Sequence, residues 1–132
     1  MSKLKIYTYN EWIEKYNNNE DICYVYKVVN YKDNKYISYF NKFEYKIGIN
    51  EDIIEYNENT KCIEGGLYFT NLENLYMYYN AGIFGSIVLI CMIPKDALFA
   101  DTYNTKIAWR SNKLDVKYII HCYTEFFIKK IC

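Results

Sequence analysis

Apolar and β-branched residues gather along the chain in short runs, and most of these runs predict strands rather than helices. Tyr24-Val25-Tyr26-Lys27-Val28-Val29 is aromatic and β-branched, preceded by acidic residues and followed by Asn30, which predicts a strand. Ile87 to Ile93 is apolar without interruption, so both faces of that strand should be covered and it belongs near the middle of a sheet. Pro94 bars its continuation as a central strand. Tyr36 to Phe40 and Phe43 to Ile47, separated by Asn41-Lys42, predict either a hairpin or one bent strand, with Gly48 ending the second run. Leu67-Tyr68-Phe69, Lys106 to Trp109 and Leu114 to Val116 are shorter strand candidates, and Tyr118 to Ile131 fits a strand followed by a helix. Glu51 to Lys61 is polar apart from Ile53, Ile54 and Tyr56, with a loop tip at Asn57-Glu58-Asn59.

Two stretches carry helical signals. Asn10 can cap a short helix over Glu11 to Tyr16, with Trp12, Ile13 and Tyr16 on one side. Gly65-Gly66 permits a turn closed to residues with a Cβ, and Thr70-Asn71-Leu72-Glu73 after it has the form of a capping box. The helix it starts runs to about Asn80 and stops at Gly82, with Leu72, Leu75, Tyr76 and Tyr79 as an apolar stripe. The expected fold is α+β, with a mostly antiparallel central sheet and the helix at about 71–80 packed on it. No linker or repeat divides the chain, so 1–132 reads as a single domain with an N-terminal helical cap over 1–23, a core over 24–117 and an extension over 118–132.

Composition narrows the possible functions. Lys+Arg and Asp+Glu both total 16, so the net charge is zero and no general basic field exists to attract nucleic acid or anionic lipid. The start of the sequence lacks the apolar core of a secretory signal, and its apolar runs fall far short of the roughly twenty residues that span a bilayer, which predicts a soluble protein. Five Cys without close pairing read as reduced thiols, Cys91 in the core and Cys132 at the end of the chain. With one His and no ligand pairs, no metal site is expected.

Candidate chemistry is sparse. His121 is the first choice for acid–base work, yet it sits in an apolar run where a half-buried structural role fits better. Cys122 beside it would point to the opposite face of a strand, so the two make no dyad, and the catalytic residues are unknown. Gly65-Gly66 lacks the continuation of a phosphate-binding loop. The sixteen basic residues include one arginine, Arg110, leaving fifteen lysines; AT-rich codons explain the lysine, asparagine and tyrosine excess but not the arginine. Its planar five-donor fork predicts a fixed partner. With Lys106 and Asp101 it forms a candidate anchor, internal if Arg110 bridges loop carbonyls or pairs Asp101 or Asp115, and a carboxylate or phosphate clamp if it serves a ligand.

Tyr26-Lys27-Val28, Tyr45-Lys46-Ile47-Gly48, Gly65-Gly66-Leu67-Tyr68-Phe69-Thr70, Glu73-Asn74, Ile93-Pro94, Asp96, and Lys106 through Trp109-Arg110 to Lys113 together resemble the amino-terminal domain of mimivirus-type giant-virus proteins, many of which carry ankyrin repeats after it. The late motif departs from the family's form, reading Trp109-Arg110-Ser111-Asn112-Lys113. The resemblance implies a non-enzymatic interaction or structural module of a giant virus, in the cytoplasm of an infected cell or in the virion, with a viral or host protein or a second copy as partner. No cofactor is expected, and the short apolar runs and zero net charge disfavour membrane and nucleic acid as partners. Tyr31, Tyr36, Tyr39, Tyr56 and Tyr103 are the expected contact surface, since Tyr offers large amphipathic area at small entropic cost. A shorter segment, Gly66-Leu67-Tyr68-Phe69-Thr70 with Tyr79 beyond, resembles that of ADP-ribosyltransferases of the poly-ADP-ribose polymerase type. That alternative implies NAD as cofactor in a pocket formed by Gly65, Gly66, Tyr68 and Tyr79, with Glu125 as the candidate for the family's late glutamate.

Overall fold

The computed structural model describes residues 5–16, 23–38, 42–57, 62–75, 87–102 and 108–121. In chain order the elements are β1 (Ile6–Thr8), α1 (Tyr9–Tyr16), β2 (Val25–Lys32), β3 (Lys35–Ile37), β4 (Glu44–Tyr45), β5 (Gly48–Glu51) and β6 (Ile54–Asn57). They continue with β7 (Cys62–Gly65), β8 (Leu67–Phe69), β9 (Ile87–Met92), β10 (Leu98–Ala100), β11 (Trp109–Ser111) and β12 (Lys113–His121). Every strand pairing among them is antiparallel.

The larger sheet has six strands in the order β4-β3-β2-β9-β12-β5. Its unbroken apolar strand, β9, lies in the interior between β2 and β12, as its two-sided hydrophobicity requires. β2 runs past Asn30 because Asp33 and Asn34 adopt φ of 53° and 62°, a two-residue hairpin turn whose twist suits the strands it joins. β3 and β4 form a hairpin, not one bent strand, with the Ser38 amide donating to the Phe43 carbonyl at 2.9 Å. Gly48, at φ +98°, opens β5. β12 crosses the boundary expected at 117/118, with a register shift between Val116 and Tyr118; the helix expected beyond it lies outside the described residues.

The smaller sheet has four strands, β1-β10-β11-β8, so the segment before the first helix contributes a strand as well as a cap to the core. β10 follows Pro94 after a turn in which the Ala97 amide donates to the Pro94 carbonyl at 3.0 Å. The polar segment after Glu51 holds a hairpin of its own, β6–β7. Reciprocal hydrogen bonds of 2.8 Å between Tyr26 and Thr70 join the end of β8 to β2, tying the two sheets together.

Both helix starts differ from the expectation by two residues or fewer, for a definite reason. Thr8, not Asn10, caps α1: its amide donates to Glu11 Oε1 at 2.9 Å, and its hydroxyl accepts from the Glu11 amide at 3.3 Å. At the second helix Thr70 is engaged with Tyr26, so Asn71 takes the cap, its Oδ1 accepting from the Asn74 amide at 3.0 Å. Helical structure is described there over 72–75, and residues 76–80 lie outside the described residues. The α+β expectation is met in its antiparallel sheets; among the described residues strand is by far the larger share.

The main core lies against one face of each sheet. Val25, Val29, Leu89, Cys91, Leu114 and Val116 come from the larger sheet, Leu67, Phe69, Phe99 and Trp109 from the smaller, and Tyr9, Trp12 and Ile13 from α1. Trp12 stacks on Phe99 with centroids 4.6 Å apart and meets Phe69 and Trp109 edge-on. On the outer face of the larger sheet, Leu72 and Leu75 cover Val28, Val88 and Ile120 in a second, smaller cluster.

Candidate functional site

Strand alternation sorts the smaller sheet into two faces. Trp109 and Ser111 point with Phe69, Leu67 and Phe99 into the core, whereas Arg110 points away from it, opposite Tyr68 in the register. The Arg110 guanidinium carbon lies 4.2 Å from the centroid of the Tyr68 ring. Gly66 makes this approach possible: a Cβ there would stand 2.5 Å from Arg110 Cγ and 2.6 Å from Cδ. Gly65, at φ +76°, has the carbonyl oxygen of Ile53 where a Cβ would be. The Gly-Gly pair therefore serves close packing, and the Gly66 amide already donates to Asp52 Oδ2 at 3.1 Å.

Arg110 is 5% exposed, yet its Nε and Nη1 are buried without a hydrogen-bond partner. Burial pushes its pKa down to about 10. A second cation lies nearby. Lys27 shares the core-facing side of β2 with Val25 and Val29 and is 8% exposed. Its ammonium sits 5.6 Å from the Tyr45 ring and 5.8 Å from the Tyr68 ring, so lysine and arginine approach the same tyrosine. Burial brings Lys27 down to about 8, and the neighbouring Cys91 only partly offsets it. Tyr45 is 1% exposed with its hydroxyl unpaired, and desolvation raises its pKa well above 10. Among the described residues no acidic side chain forms an ion pair with Lys27 or Arg110.

The carboxylates expected near Arg110 are engaged elsewhere. Asp101 accepts from Tyr16 Oη at 2.6 Å and Tyr7 Oη at 3.2 Å, and pairs Lys15 at 3.7 Å. Asp115 pairs Lys117 at 2.8 Å. Lys106 and Tyr79 lie outside the described residues, as does Glu125. Of the residues expected around NAD, Gly66 lies against the Arg110 stem, Gly65 against the Ile53 carbonyl, and the Tyr68 ring carries the arginine.

His121 is half-buried, with Nε2 3.0 Å from Tyr36 Oη and its ring edge-on to Tyr31 and Tyr36, a structural setting. Cys91 is buried and its thiol is pushed up to about 12 by desolvation, which removes it as a nucleophile. Cys23 and Cys91 are free thiols, and no group of three potential metal ligands exists among the described residues.

Sequence reasoning singled out Arg110 and Tyr68 but missed Lys27 and Tyr45. The available signal was Lys27 itself: a lysine flanked by Val25, Val28 and Val29 in a strand whose inward positions alternate through it. No protein-family model, curated protein or solved structure matches the chain.

Proposed function

We propose that this chain is a non-enzymatic interaction module of a giant virus that binds a viral or host protein, or a second copy of itself, through the outer face of its larger sheet. The observation that carries the reading is where that face is left uncovered. At one end Leu72 and Leu75 lie over Val28 and Val88; at the other, Ile49, Asp115 and Met92 form a row across β5, β12 and β9, with Ile49 57% and Met92 39% exposed. Tyr118, 55% exposed, stands in the next row opposite Ile90, and Tyr24 meets its ring edge-on at 6.5 Å. Large apolar side chains grouped on one sheet face favour a protein partner over solvent. The face borders β5, an edge strand flanked by exposed Ile47 and Ile53. The giant-virus source rests on the sequence resemblance and the AT-rich codon signature, and the same source puts the protein in the infected cell or the particle.

The contact surface thereby shifts. Tyr31 and Tyr36 pack against each other with centroids 4.8 Å apart and edge-on against His121, and Tyr39, Tyr103 and the Tyr56 side chain lie outside the described residues. Tyr24 and Tyr118 are the tyrosines on the exposed face. Sedimentation across a concentration range, with affinity capture from infected cells, tests this. Ile49→Lys combined with Tyr118→Glu should abolish self-association or capture of the recurrent partner while changing stability by less than about 1 kcal/mol. Retention of both interactions in the double variant would overturn the reading.

A further inference from the structure

We infer that the cluster of Arg110, Lys27, Tyr45 and Tyr68 is a binding site for a small carboxylate, lodged between the two cations beside the Tyr68 ring. The argument is independent of the outer face of the larger sheet. Arg110 and Lys27 are both more than nine-tenths buried, and two of the three guanidinium nitrogens have no acceptor. The Tyr45 hydroxyl is a further buried donor without a partner. Buried donors are satisfied in native proteins with few exceptions, and two such atoms on one guanidinium that shares a tyrosine ring with a second buried cation call for an acceptor. Cation–π contact with Tyr68 and Tyr45 offsets part of the desolvation but supplies no oxygen to the N–H groups.

Charge sets the ligand class. Among the described residues no carboxylate pairs either cation, so the missing acceptor is an anion. Stripping a dianion of water costs more than stripping a monoanion, so at a site this buried a carboxylate is favoured over a phosphate dianion. The near-complete burial of both cations favours a free small acid over an acidic side chain on a folded partner.

The chain holds one arginine, so its guanidinium Nε–Hε group gives a single NMR signal that needs no assignment. On titrating the intact protein with sodium acetate, that signal should move saturably, with sodium chloride at matched ionic strength as the reference. Lys27→Met should weaken the apparent acetate affinity by roughly tenfold, the scale of one lost charge-assisted contact. Tyr45→Phe, which removes only the hydroxyl, should weaken it by a smaller factor. An unmoved arginine signal overturns the proposal, as does equal movement with chloride or an acetate affinity that both variants leave unchanged. Tighter binding of inorganic phosphate than of acetate overturns the monoanion assignment.

Discussion

Two regions beside the four-stranded sheet treat their cations in opposite ways. On the α1 side, Lys15 donates to Tyr7 Oη at 2.6 Å, pairs Asp101 and lies over the rings of Tyr7 and Tyr16. Those hydrogen bonds raise its pKa. On the other side, Arg110 and Lys27 rest against Tyr68 and Tyr45 with no carboxylate paired to either, and burial lowers both. Aromatic rings hold cations in both places, and the difference is one aspartate. A cation over tyrosines is settled when an anion completes it and remains a source of instability when none does. The satisfied side has one exception, the buried and unpaired Trp109 Nε1, but an uncharged N–H is far less demanding than a cation.

The largest expected effect tests whether the satisfied side is the stable one. Trp12→Ala removes the ring that stacks on Phe99 and abuts Phe69 and Trp109, and should destabilise by about 3–5 kcal/mol in chemical denaturation. A loss under about 1 kcal/mol would mean that α1 is not integral to the core.

The next effect has the opposite sign. Lys27→Met should stabilise the ligand-free protein at pH 7 by an amount on the order of 3 kcal/mol, because it removes a charge from a site without an anion. The lysine titrates at about 8 when folded against an ordinary 10.5. Below pH 8 both states hold the proton and the penalty is constant. Between pH 8 and 10.5 the unfolded chain binds more protons, so wild-type stability rises with pH while that of Lys27→Met does not. The advantage of the variant should therefore shrink through that window and vanish above it. A pH-independent difference, or a destabilised variant, would show that Lys27 already has its counter-charge.

The smallest effect sharpens the contrast from the other side. Asp101→Asn leaves Lys15 with its tyrosine contacts but no anion, and since both side chains are about two-fifths exposed the loss should be at most about 1 kcal/mol. It should diminish in high salt, as a partly exposed pair is screened. A loss comparable to that of Trp12→Ala would place Asp101 among the core determinants.

Much of the architecture was legible as strings of residues. The seven-residue apolar run could only be an interior strand, and Leu67-Tyr68-Phe69 matches β8 to the residue. Capping was legible in kind but not in place, since Thr8 and Asn71 won over Asn10 and Thr70 through long-range pairing of the backbone. The β6–β7 hairpin was hidden because its few apolar residues lie among polar ones around a loop tip, and β10 because it is short and follows a proline.

The sequence by itself singled out Arg110, one arginine among fifteen lysines. It equally marked the strand that carries Tyr68, whereas the run expected over 106–109 stops short of Arg110, which lies in β11. Tertiary structure alone decided their company. Lys27 is 83 residues from Arg110 and reaches the same tyrosine only after β8 is tied to β2, while Asp101, nine residues away, turns to Tyr7 and Tyr16 instead. Proximity along the sequence could not foretell this, because sheet register sets which side chains share a face, and register is fixed by pairings between distant segments.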